Sequence, residues 1–186
     1  MLKIAIVCLT ALAASAGAPA QTMDPHQHMD HQKHMAGMAD AQRQAEVAQR
    51  GKAVMPFSLK ATTHIFTKNA EGGTQRVVAR KANDAAQVKL VRQHLQEIKD
   101  QFLKGDFSGP TQIHGPGMPG LADLQAARPG QIAIGYKEVK GGAELTYKTS
   151  EAHLLAALHQ WFDAQLSDHG ADAMQGHMHH DGMKKQ

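Results

Sequence analysis

FSLKATTHIFTKNAEGGTQRVVARKA, residues 57–82, is the stretch whose reading decides the fold. Residues 57–67 are rich in β-branched and aromatic side chains and alternate between two faces. Phe57, Leu59, Ala61, Thr63 and Ile65 share one, and Thr62, His64 and Phe66 share the other. Gly72-Gly73 then supplies a turn, and residues 74–82 return as a second strand, so the stretch reads as a β-hairpin.

Downstream, Asn83 or Asp84 caps a helix running to about Lys104. Val88, Val91, Leu95, Ile98 and Phe102 recur three and four residues apart, which is one buried helix face. Gly105 ends it. Residues 106–120 (DFSGPTQIHGPGMPG) are a Gly/Pro-rich loop carrying His114 and Met118, followed by a short helix near residues 119–127.

The pattern then repeats. Residues 131–139 and 143–149 are two strands joined by Gly141-Gly142, and a second long helix runs from Ser150 to about Ser167. Leu154, Leu155, Leu158, Trp161, Phe162 and Leu166 form its apolar stripe. The fold class is therefore α+β. The order ββα-ββα predicts a mainly antiparallel four-stranded sheet covered by two long helices.

Upstream of the hairpin, residues 40–51 (DAQRQAEVAQRG) read as a short polar linker helix. Residues 23–38 (MDPHQHMDHQKHMAGM) hold His26, His28, His31 and His34 among Met23, Met29, Met35 and Met38. The far end repeats this composition with Met174, His177, Met178, His179 and His180. With no apolar residues except Met and Ala, both segments read as disordered tails. The domain map is a signal peptide at 1–20, a His/Met tail and linker helix at 21–53, an α+β domain at 54–170 and a second tail at 171–186.

The first twenty residues (MLKIAIVCLTALAASAGAPA) have the form of a secretory signal peptide. Lys3 is the positive n-region, Ile4 to Ala14 the apolar run, and Ala14-Ser15-Ala16 or Ala18-Pro19-Ala20 the cleavage signal. Cleavage removes Cys8, the single cysteine, so the mature chain has no disulfide, thiol nucleophile or thiolate ligand. The expected compartment is the periplasm. No later apolar run is long enough for a membrane span. The scattered Lys and Arg, with a formal net charge of +3, exclude a nucleic-acid footprint.

Without cysteine, a metal site has to use His, Met and carboxylates. Imidazole binds Cu(II) and Zn(II), and thioether favours Cu(I). Zinc sites prefer His, Cys and carboxylate, so the methionines point to copper, with zinc as the other metal to consider. The tail ligands are His26, His28, Met29, His31, His34, Met35, Met38, His177, Met178, His179 and His180.

Inside the domain the candidate ligands are His64, His94, His114, Met118, His159 and His169; His153 faces more nearly outward. A single histidine on an apolar face is ordinarily a half-buried residue with a backbone partner. As a set, these could converge where both helices cover one end of the sheet. Asp163 and Asp168 are available to orient an imidazole. The same His114, Asp163, Asp168 and His169 could instead serve acid–base chemistry in a small exported hydrolase or transferase. Against that reading, no nucleophile elbow, phosphate loop or HExxH motif is present.

Three motifs carry a resemblance. They are Thr62-Thr63-His64-Ile65-Phe66, the loop with Ile113-His114-Gly115 and Met118-Pro119-Gly120-Leu121, and the run from His159-Gln160-Trp161-Phe162-Asp163 to Asp168-His169-Gly170. Together, over roughly residues 57–180, the chain resembles a family of small exported bacterial proteins associated with copper and heavy-metal resistance. Some relatives carry an aspartate carbamoyltransferase label. This chain has no Ser-Thr-Arg-Thr phosphate-binding motif, and its domain is too small for a two-domain transferase. The ligand set itself gives the leading expectation, a periplasmic metal-binding protein acting in metal tolerance, buffering or delivery, with a metal exporter or oxidase as its partner, and the resemblance implies a link to metal resistance.

Overall fold

The computed structural model describes residues 25–177. The expected signal peptide and the candidate ligands Met178, His179 and His180 lie outside the described residues. Two compact units divide after Met35, and the second begins at Ala36.

Helix α1 (Pro25–Val54) is followed by a 3-10 turn and the hairpin β1 (Thr62–Asn69) and β2 (Gly72–Ala79). Helix α2 (Ala85–Phe102) comes next, then two short helices, α3 (Ser108–His114) and α4 (Leu121–Ala126). The second hairpin, β3 (Ala133–Val139) and β4 (Gly142–Lys148), leads into α5 (Ala152–His169) and a final short strand, β5 (Ala173–Gln175).

The sheet order is β3-β4-β2-β1-β5. Four strands are antiparallel, and β5 pairs parallel to β1 through His64↔Ala173. The expected four-stranded antiparallel sheet is thus a five-stranded mixed one. The simple ββα-ββα order is preceded by α1, interrupted by α3 and α4, and extended by β5. Three residues of Ala, Met and Gln carry no alternation that would reveal a strand. Backbone pairing, not side-chain pattern, makes β5. The helix expected over residues 40–51 extends back to Pro25, so residues 25–39 are helical where a tail without regular structure was expected. Among the described residues no helix is long and apolar enough to cross a membrane.

One sheet face is packed. Thr62, His64 and Phe66 of β1 lie in register with Val77 and Gln75 of β2, then with Ala143, Leu145 and Tyr147 of β4, and all are buried. Against them lie Val91, Leu95 and Phe102 of α2 and Leu158, Trp161 and Phe162 of α5. Asp84 caps α2 by accepting from the Gln87 N–H. Gly120 enters α4 at φ +75°, with its Cα against the Ala157 carbonyl of α5, a place that no Cβ could occupy. The other face is polar. Its Glu144 is buried beneath Arg76 and Lys137 from the two flanking strands, both of which pair with it. Burial alone would raise that carboxyl, and the two cations hold it below its ordinary value.

The part of α1 that reads as a linker contributes to the core. Val47 is fully buried, and Arg43 and Arg50, two turns apart on one face, both reach α3.

Candidate functional site

Four histidines from four elements line one cavity of about 60 Å³: His64 of β1, His94 of α2, His114 of α3 and His169 of α5. Each arrives there for a local reason. His64 is on the packed face of β1, between Thr62 and Phe66. His94 follows Leu90 and Val91 and precedes Ile98 on the half-buried margin of α2. His114 is the last residue of α3, where Gly115 at φ +85° turns the chain away. His169 is the last residue of α5, continuing the buried face of Leu158, Trp161, Phe162 and Gln165.

The rings are close. His64 and His169 are stacked with centroids 5.1 Å apart and planes 2° from parallel. His114 stands edge-on to His169 at 5.0 Å. Phe57 packs against both His64 and His94, with ring centroids at 5.8 and 5.5 Å.

A carboxylate aims one of these rings. His114 Nδ1 lies 2.7 Å from Asp168 Oδ2 and donates to it. Arg43 holds Asp168 in turn with a two-pronged contact, Nε to Oδ1 at 3.0 Å and Nη2 to Oδ2 at 2.7 Å. Burial alone would raise the Asp168 carboxyl, but the bonds from Arg43 and His114 keep it below its ordinary value and ionised. Asp163, the other carboxylate considered for this role, is exposed and pairs with Lys68.

All four imidazoles are held neutral. Burial pushes His64 down to about 4, aided by His94 and His114 and opposed by a main-chain hydrogen bond at Asp172. Burial also lowers His94, and it lowers His169 well below its ordinary value. For His114 burial again lowers the value and outweighs the contact with Asp168. Neutral imidazole is the form that binds metal. Two buried polar atoms on the cavity wall have no partner, Nδ1 of His64 and Nε1 of Trp161. An unpartnered polar atom in a buried wall costs free energy unless something fills the space.

Met55 also lines the cavity, bringing a thioether to the same wall. The remaining polar lining includes Gln75, whose Oε1 accepts from the Tyr147 hydroxyl at 2.8 Å, and Gln165. Among the described residues, no three His, Cys, Asp or Glu side chains are closed on one point at metal-ligand spacing. The donors fit copper in kind, being imidazole and thioether, but the rings have to turn inward to share an ion.

The other candidates fall elsewhere. His159 is half-buried, and its Nε2 donates to the Asn69 and Gly72 carbonyls at 3.1 and 2.8 Å. It fastens the first hairpin to α5 and is not in the cavity. Met118 is buried and lines a separate, open cleft of about 750 Å³ with Arg43, Asp168 and Pro119. Among the described residues, His114 is the one side chain common to cleft and cavity. His153, Met38 and His177 are exposed. The side chains of His26, His28, Met29, His31, His34 and Met35 lie outside the described residues.

Sequence reasoning missed Arg43 and Met55. Arg43 acts across 71 and 125 residues of chain, and nothing local marks it. Met55 follows a helix end and reads only as an apolar residue.

No family model, no curated protein and no solved structure matches the chain.

Proposed function

We propose that this is a periplasmic copper-binding protein, acting in metal tolerance, buffering or delivery, whose defined site is the four-histidine cavity. The observation that carries the reading is the convergence of His64, His94, His114 and His169, with an unpartnered His64 Nδ1 in the wall. Three further features support it. Asp168 orients His114 from behind, as carboxylates orient metal-bound imidazoles. Met55 adds a soft donor, which favours copper over zinc. The cavity, at about 60 Å³, suits an ion with a little water, whereas pockets for organic ligands run to about 300 Å³ and more. The His/Met-rich segments at both ends serve as capture ligands.

The test is a competitive titration of Cu(I) and Cu(II) into the full chain and into its His64→Phe/His169→Phe variant, with folding checked by circular dichroism. The expected result is the loss of the tightest copper equivalent from the variant alone. An unchanged titration would remove the core from the account.

One observation favours a second reading. The Arg43–Asp168–His114 chain of contacts opens onto the cleft beside Met118, an arrangement suited to a general base. A hydrolase of this kind would lose turnover with His114→Gln and keep it with His64→Phe.

A further inference from the structure

We propose that Arg43 is a positioning residue of the four-histidine site: by clamping Asp168 it fixes His114 as the Nδ1–H tautomer and leaves Nε2 as that ring's free ligand atom. This deepens the copper reading and rests on it for the word "ligand".

Helix α3 has seven residues, with Gly109 and Pro110 in its first turn, and is too short to hold its own end in place. Its last carbonyls lack intrahelical partners, and two of them are met from α1. Arg43 Nη2 donates to the His114 carbonyl at 2.6 Å, and Arg50 Nε donates to the Ile113 carbonyl at 2.6 Å. The main chain at His114 is therefore pinned from outside.

Arg43 then does something Arg50 does not. Its remaining donors form the fork on Asp168, and Asp168 Oδ2 receives both Arg43 Nη2 and His114 Nδ1 at 2.7 Å. One guanidinium thus sets the backbone of His114 and, through the carboxylate, the ring. With the fork in place, the carboxylate presents an acceptor to Nδ1 and the ring's proton stays there. The lone pair then lies on Nε2. Without the fork, Asp168 is free to turn about its side-chain torsions toward the open cleft that it also lines. Either imidazole nitrogen can then carry the proton. A lysine at this place could supply charge but not two parallel donors.

The experiment is a long-range ¹H–¹⁵N spectrum of the imidazoles of the full chain, free of metal, together with a Cu(I) competition assay. Wild type is expected to show His114 as the Nδ1–H tautomer. Arg43→Met is expected to shift His114 toward a mixture and to weaken Cu(I) binding by about 10- to 100-fold. Arg50→Met, which removes only a cap on α3, is expected to leave the His114 tautomer as in wild type. An unchanged His114 spectrum in folded Arg43→Met overturns the proposal, and so does an equal shift in Arg50→Met. Should Arg43→Met fail to fold, Arg43→Lys is read the same way, because the claim concerns the fork. If wild type binds no copper, the copper reading fails on its own, while the metal-free spectra still decide whether Arg43 sets the ring.

Discussion

Helix α5 carries a histidine and an aspartate near each of two places, and the chain treats the pairs differently. Toward the hairpin, His159 gives its Nε2 proton to two main-chain carbonyls, and Asp163 lies exposed against Lys68. At the C-terminal end, Asp168 is clamped by Arg43 and aims His114, while His169 stacks on His64 inside the cavity. The first pair is engaged by main-chain carbonyls and by a surface lysine. In the second, burial strips the imidazoles of charge while nearby nitrogen atoms stay unpartnered. What an imidazole can do depends on what its two nitrogens already meet, and residue type on a helix stripe does not reveal it.

Acid should break the cavity end first. The folded value of His64, about 4, lies below its unfolded value near 6.5, so folding favours the neutral ring. Its contribution is complete above pH 6.5 and lost as pH falls toward 4, because the unfolded chain binds the proton more readily. The difference corresponds to about 3 kcal/mol, and His169 adds in the same direction. Urea unfolding of the metal-free chain at pH 7 and pH 4.5 should show this loss, and His64→Phe should reduce it.

Next in size is Asp168→Ala, which leaves His114 Nδ1 and part of the Arg43 guanidinium without a partner. It should cost about 2–3 kcal/mol by denaturant titration, discounted because Arg43 is partly exposed. His159→Ala should cost about 1 kcal/mol, through the hairpin contacts, and leave copper affinity unchanged. A fall in copper affinity in that variant would erase the contrast between the two places. The smallest effect belongs to Asp163→Asn, within about 0.5 kcal/mol, since its ion pair with Lys68 is largely in water.

Much of the frame is legible in the residues. Alternation in residues 57–67 marks β1, the Gly72-Gly73 and Gly141-Gly142 turns mark the two hairpins, and the three-and-four spacing of Val91, Leu95 and Phe102 marks α2 with its buried face. Element α3 escapes because Gly109 and Pro110 read as loop, although both sit in a first turn, where helix N–H groups need no partner. Strand β5 escapes because three small or flexible residues show no period. Helix α1 is underrated because its contribution comes from two arginines and one valine, not from an apolar stripe.

The site divides along the same line. Four histidines stand out by type, and their meeting place follows once both long helices cover one sheet face. His159 lies one turn from Phe162 on α5, yet its Nε2 is already engaged by two main-chain carbonyls. Met118 is near His114 in sequence, yet it lines the cleft and not the cavity. Arg43 and Met55 enter only through tertiary contacts that join residues far apart in the chain.

The central claim is that copper is held in the cavity and only gathered by the ends. Its most direct test is a Cu(I) titration of the full-length chain in which the His and Met residues of segments 23–38 and 174–183 are replaced by Ser, with every core residue kept. The account predicts that a tight copper equivalent survives at an affinity close to that of the unaltered chain. Complete loss of copper binding in this variant would contradict it, and would leave the four histidines as the neutral, buried wall of a structural cavity.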